Sequence, residues 1–105
     1  MKLVRDKIPQ IIIEDGKIPV VKKTKSKLEM QAFLYQKMIE ELNESHSEPS
    51  VEEAADMYEV LTAICYHNQI DWETMVAQAN HKRNTRGGFD TGTILINVEG
   101  ESHEK

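Results

Sequence analysis

Two acidic pairs with helical spacing constrain this chain more than any other feature. Glu41 and Glu44 stand three residues apart, and Glu53 and Asp56 repeat that spacing after a short interval. Residues three apart lie on one face of a helix, so two antiparallel helices would bring four carboxylates together. Like charges that close repel each other, and the cluster then needs a cation or raised pKa values. The spacing therefore predicts a helix pair that carries a divalent metal site.

Capping and stop signals divide the rest of the chain into elements. Ser26 and Glu29 form a capping box, Ser50 opens a second one, and Asp71 is a further N-cap. Gly87 and its neighbouring glycine stop the last helix. The predicted elements are a short helix at 10–15 after Pro9, long helices at 26–45, 50–67 or 68, and 71–85, and short strands at 18–21 and 93–98.

These elements predict a mainly α protein. We expect a single domain over residues 1–105, built as a bundle of three main helices plus a short N-terminal helix. The two chain ends can add a small two-stranded β-ribbon, in which Pro19 keeps the first strand at an edge. The polar tail 99–105 is expected to fray.

Composition excludes several functional classes. The net charge of -5 argues against a general nucleic-acid binder, which is usually basic. The single cysteine, Cys65, is expected to be a small buried hydrophobe, and a chain without intramolecular disulfides fits the cytoplasm. The start of the chain turns charged at once, unlike a signal peptide, and no apolar run approaches the roughly 20 residues of a membrane span.

A helical projection at about 100° per residue separates the acidic pairs from the acids that face solvent. On the first long helix, the predicted core stripe is Leu28, Tyr35, Met38, Ile39 and Leu42, whereas Glu41 and Glu44 lie beside Met30, Phe33, Leu34 and Lys37. On the second, the predicted core stripe is Val51, Ala54, Ala55, Tyr58, Leu61 and Cys65, whereas Glu53 and Asp56 lie beside Val60, Ala63, Ile64 and His67. Both helices are thus apolar on more than one side.

Carboxylates beside apolar side chains favour a metal, because an unpaired buried carboxylate is costly. The alternative is a set of surface acids, or acids paired with lysines. Four carboxylates without a cysteine and histidine set indicate a hard cation, Mg²⁺ first and Mn²⁺ second. Mg²⁺ in proteins commonly binds substrate phosphates, so a phosphate-bearing substrate is expected.

Two basic groups could contact such a phosphate. Lys82 and Arg86 are four residues apart and point the same way on a helix, and Arg5 and Lys7 form a second small group. Bases near a helix C-terminus also balance the helix dipole, which is the alternative explanation for the first group.

Three motifs together resemble a known family. The acidic motifs at 40–44 and 53–56 are similar to those of the all-α nucleoside triphosphate pyrophosphohydrolases of the MazG type. The opening motif at 3–9 and the closing motif at 86–89 look like the phosphoribosyl-ATP pyrophosphohydrolase-like branch. The motifs span the chain from Leu3 to Phe89.

The resemblance implies a Mg²⁺-dependent enzyme that converts a nucleoside triphosphate and water to a monophosphate and pyrophosphate, with house-cleaning of non-standard nucleotides as one role. It implies a homodimer or homotetramer, which suits helices that are apolar on several sides. It assigns metal binding to Glu41, Glu44, Glu53 and Asp56, and catalysis to the first two of these acids. It assigns phosphate binding to four bases, Lys82, Arg86, Arg5 and Lys7.

Two alternatives remain open. A non-catalytic helical module could use the same helices to oligomerise and to bind a metal or nucleotide without turnover. A strict phosphoribosyl-ATP pyrophosphohydrolase is the other. The interval between Glu44 and Glu53 is shorter than in many members of the resembled family. Some of those members form the pocket for the nucleotide base in this interval, so the sequence does not define which nucleotide base is bound.

Overall fold

The computed structural model describes residues 1–100, and the chain is mainly helical there. Its four helices are α1 (Ile8–Glu14), α2 (Lys27–Ser47), α3 (Val51–His67) and α4 (Trp72–Arg86). The prediction of a mainly α protein is confirmed. Over the described range, no helix has the length and apolar character that crossing a membrane requires.

Local signals in the sequence set the helix ends. The Ser26 hydroxyl accepts a hydrogen bond from the Glu29 amide at 3.1 Å, and the Ser50 hydroxyl accepts one from the Glu53 amide at 3.0 Å. Gly87 ends α4 with a φ of 85°, which favours glycine, and its amide donates to the Arg83 carbonyl at 2.9 Å. Both predicted serine caps and the predicted glycine stop are confirmed.

The two predicted strands are wrong, because neither 18–21 nor 93–98 forms a strand. A two-stranded ribbon is marginal in water unless a third strand or a helix packs on it. Ile18 and Val20 are 90% and 96% exposed, so the first segment has no such support. Of the predicted frayed tail, residues 101–105 lie outside the described part of the chain.

Helices α2 and α3 pack against each other as an antiparallel pair. Only residues 48–50 connect them, and so short a connection favours antiparallel neighbours. Gln31, near the start of α2, exchanges side-chain hydrogen bonds with Asn68, which directly follows α3. At the other end of the pair, Glu41 of α2 meets Glu53 near the start of α3.

The hydrophobic core is small and lies between α2 and α3. Leu34, Val60 and Ile64 are buried there, and the side chains packed against them are Leu3, Met30, Met38 and Ala63. Cys65 is also buried, as expected. This core includes the sector that carries the acids, so the predicted assignment of core and second sector is wrong in part: of the predicted core stripe, Met38 packs against the core and Cys65 is buried. The apolar stripe predicted as core is largely exposed: Leu28, Tyr35, Ile39, Leu42, Val51, Tyr58 and Leu61.

The chain forms two compact units. The first, Met1–Trp72, contains α1, α2 and α3, and in it the rings of Tyr58 and Trp72 meet edge to face at 5.2 Å. The second unit begins at Glu73 and contains the remainder of α4.

Candidate metal centre

Three of the four predicted carboxylates meet at one end of the α2–α3 pair. One oxygen from each of Glu41, Glu53 and Asp56 lies within 4.8 Å of the other two. We call these three residues the acidic cluster. Glu53 occupies the first turn of α3, where the Ser50 cap fixes the backbone, and Asp56 follows on the same face. The cluster thus depends on the helix start that the sequence encodes.

Burial gives the cluster its chemical character. Glu41 is 4% exposed, and Glu53 and Asp56 are half-buried. The Oε2 atoms of Glu41 and Glu53 are both shielded from solvent and accept no hydrogen bond from the described residues. Two such oxygens can satisfy each other only if a proton lies between them, or if a cation binds both.

The pKa of Glu53 reflects the closeness of these carboxylates and their partial burial. Partial burial raises the pKa of Glu53 to about 7, with further contributions from a hydrogen bond with Glu41 and from the charges of Glu44, Glu41 and Asp56. At neutral pH, Glu53 therefore carries a proton for a substantial part of the time.

Lys37 is the first of two cations at the acidic cluster. Its Nζ lies 3.3 Å from Glu41 Oε1, four residues along α2, and 3.5 Å from Glu40 Oε1. Burial lowers the pKa of Lys37, but hydrogen bonds and charge interactions with Glu41 and Glu40 outweigh it and raise the pKa overall. The helical projection placed Lys37 beside Glu41, and acids paired with lysines were the alternative to a metal. Lys37 was not named as the partner, although the i,i+4 spacing was a usable signal.

Arg5 is the second cation. Its guanidinium donates a hydrogen bond to Asp56 Oδ1 at 2.8 Å, and this bond, with the charge of Asp56, raises the pKa of Arg5. Leu3 packs against the core and anchors the N-terminal segment next to the cluster. Arg5 was predicted to bind phosphate, and the structure brings it to the predicted site as the partner of a predicted metal ligand.

The other predicted residues are placed differently. Glu44 is exposed and lies outside the three-residue group, although its charge contributes to the pKa of Glu53. Lys7 is exposed beside α1. Lys82 and Arg86 are exposed in the unit that begins at Glu73. Their roles in metal and phosphate binding stay predictions.

In that second unit, Arg83 makes the ion pair that sequence reasoning missed. Its guanidinium lies 2.9 Å from Asp90 Oδ2, so it closes the turn that follows α4. The tip of the Arg83 side chain also lies where a Cβ on Gly88 would point.

The acidic cluster fits a hard divalent cation by donor type. Its ligands would all be carboxylate oxygens, and two buried oxygens lack donors. Octahedral Mg²⁺ places ligand oxygens about 3 to 4 Å apart, so side-chain shifts of about 1 Å would suffice. A metal-free charge balance is also available, because Lys37 forms an ion pair with Glu41 and Arg5 forms one with Asp56.

No protein-family model, curated protein or solved structure matches this chain.

Proposed function

We propose that this protein is a Mg²⁺-dependent nucleoside triphosphate pyrophosphohydrolase of the MazG type. The observation that carries the proposal is the acidic cluster, in which two solvent-shielded carboxylate oxygens lack a donor. A divalent cation would satisfy both at once. The motif resemblance supplies the reaction, in which a nucleoside triphosphate and water give a monophosphate and pyrophosphate.

Glu41, Glu53 and Asp56 would hold the cation, with Glu44 as an additional ligand from the exposed turn of α2. Mg²⁺ supplies charge neutralisation on the triphosphate, and Mn²⁺ is expected to substitute for it. Lys37 holds one oxygen of Glu41, so the other oxygen remains for the cation.

Glu44 is the better of the two candidate bases. It is exposed and can reach a water molecule, whereas Glu41 is buried with Lys37 against its Oε1. In this proposal Glu44 accepts the proton of the water that attacks the α-phosphorus. Arg5 and Lys7 would neutralise phosphate charge as pyrophosphate leaves. The same role for Lys82 and Arg86 rests on the motif resemblance alone.

We further propose that the protein forms a homodimer or homotetramer in the cytoplasm. The monomer buries few apolar side chains, while Tyr35, Ile39 and Leu42 of α2 and Tyr58 of α3 are more than half exposed. Contiguous exposed apolar surface of this kind marks protein interfaces. A second copy of the chain could bury this exposed apolar stripe, which recurs at helical spacing on both α2 and α3.

The test is an assay for monophosphate and pyrophosphate over a panel of normal and modified nucleoside triphosphates, with Mg²⁺ or with EDTA. Glu53→Gln should lower turnover at least about 100-fold, because it removes a charged ligand at the reacting phosphate. Glu52→Gln is the matched control, since Glu52 is exposed on the same helix and should retain full activity. If no nucleotide is turned over, the proposal that the protein is an enzyme is refuted.

A non-catalytic module is the second candidate, and the metal-free charge balance of the cluster favours it. Such a protein would oligomerise through the same helices, or bind a metal or nucleotide without releasing pyrophosphate, and its acidic cluster would not require a cation. Direct comparison of phosphoribosyl-ATP with free nucleotides in the same assay separates the strict phosphoribosyl-ATP enzyme from a house-cleaning enzyme.

A further inference from the structure

Residues 2–5 join α2 to α3 beside the acidic cluster, and we call them the N-terminal strap. Lys2 Nζ lies 3.8 Å from Glu40 Oε1 on α2, and Leu3 packs against the core. Arg5 Nη2 then lies 2.8 Å from Asp56 Oδ1 on α3. The strap thus places one guanidinium against a carboxylate of the cluster.

The Arg5 side chain is anchored at its backbone end and exposed at its tip. Its neighbour Leu3 is held by the core, while the Arg5 side chain is 56% exposed. Within the described residues, Asp56 is the one recorded acceptor for its guanidinium. A change of partner would therefore leave the strap in place.

Arg5 and a divalent cation on either oxygen of Asp56 would compete electrostatically, and the Arg5 side chain is 56% exposed and can leave, whereas the Lys37 side chain beside Glu41 is only 19% exposed. Mg²⁺ binds carboxylate oxygens at about 2 Å, so a cation on Asp56 would lie within about 5 Å of the guanidinium. Two positive groups at that distance repel each other. The cation could also bind Oε2 of Glu41, which lacks a hydrogen-bond donor and belongs to a residue that is only 4% exposed. Arg5 makes no hydrogen bond to that atom.

We propose that Arg5 is an exchangeable counter-ion: it pairs with Asp56 in the metal-free protein, leaves when the divalent cation binds, and then binds a phosphate of the substrate. This inference rests on the proposed metal site and deepens it. The exchange sets an order of binding, because Arg5 becomes available to phosphate only after the cation has released it. It also keeps the cluster neutralised while no cation is bound.

Arg5→Gln tests the exchange because two affinities should change in opposite directions. Mg²⁺ alone, titrated calorimetrically into the purified protein, should bind about two- to fivefold more tightly, since an exposed ion pair no longer competes. Mg²⁺–pyrophosphate, added with Mg²⁺ in excess, should bind about tenfold more weakly because a charged hydrogen bond is lost. A residue that merely supports the fold would weaken both.

Two further variants complete the experiment. Lys2→Gln removes the same charge from the same strap without touching the cluster, and it should change either affinity by less than about twofold. Arg5→Lys keeps the charge and should lie between wild type and Arg5→Gln in both titrations. Unchanged circular dichroism checks that each variant folds.

The outcomes distinguish this inference from the proposed function. If wild type binds Mg²⁺ and Arg5→Gln leaves that affinity unchanged or lowers it, the exchange is refuted while the metal site stands. If Arg5→Gln tightens Mg²⁺ but leaves Mg²⁺–pyrophosphate unaffected, the transfer of Arg5 to phosphate is refuted. If wild type binds no Mg²⁺, both the metal site and the exchange fail.

Discussion

Binding of Mg²⁺ to the acidic cluster is expected to release a proton from Glu53. Partial burial, the hydrogen bond with Glu41 and the nearby carboxylates raise the pKa of Glu53 to about 7. A carboxyl group must lose its proton to become a metal ligand, so cation binding and proton release are linked. Each bound Mg²⁺ should therefore release a fraction of a proton near pH 7, a larger fraction at pH 6 and a smaller one at pH 8.

Isothermal titration calorimetry in buffers of different ionisation enthalpy measures this number directly. Glu53→Gln carries no titrating carboxyl, so any binding that it retains should release no proton from this position. Glu52→Gln, altered at the exposed neighbour on α3, should release the same number as wild type. Mg²⁺ binding by wild type with no proton release at pH 6 would refute the assignment of the raised pKa to a metal ligand.

The same shift has a consequence for the stability of the metal-free protein. The pKa of Glu53 is higher in the folded chain than the ordinary 4.5, so the folded state binds this proton more tightly than the unfolded state. The resulting stabilisation is complete below about pH 4.5 and is lost as pH rises to about 7 and beyond. In EDTA, the difference between the melting temperatures of wild type and Glu53→Gln should therefore shift against wild type as the pH rises from about 4.5 to about 7. A difference that is constant with pH would contradict the linkage.

Three further predictions concern the surroundings of the cluster. Lys37→Met should lower the free energy of unfolding by about 1–3 kcal/mol in urea titrations, because buried Glu41 loses its charged partner, while Lys37→Arg should retain most of it. Ser50→Ala should cost about 1 kcal/mol by loss of the α3 cap, and an unchanged unfolding midpoint would contradict this. Leu42→Glu should reduce the mass measured by light scattering if the exposed stripe is the interface, whereas Gln36→Glu on another exposed face should not.

Local physics made the helices predictable from sequence. The caps at Ser26 and Ser50 and the stop at Gly87 depend on residues within a few positions of one another, and all three are observed. The spacing of the acidic pairs likewise predicted the meeting of Glu41, Glu53 and Asp56, because a short antiparallel connection leaves few arrangements.

Longer-range features were not predictable in this way. A helical projection identifies apolar sectors but not which sector meets a neighbour, and both long helices have two such sectors. Arg5 and Asp56 are 51 positions apart, so no local pattern could indicate their ion pair. The segments at 18–21 and 93–98 have strand-like composition, but strand formation depends on a pairing partner that composition does not supply.

The packing of the acid-bearing sector into the core connects the stability of the fold to its proposed chemistry. The acidic cluster lies at one end of the same α2–α3 contact that buries Leu34, Val60 and Ile64, so the packing that stabilises the pair also desolvates the carboxylates. Desolvation raises the pKa of Glu53 and leaves Glu41 Oε2 without a donor, and both effects favour a bound cation. Above pH 7, neutralising Glu53 should therefore stabilise the metal-free fold while it weakens Mg²⁺ binding. Opposite effects of one substitution on stability and on Mg²⁺ binding are expected of a carboxylate that serves a ligand and not the packing of the fold.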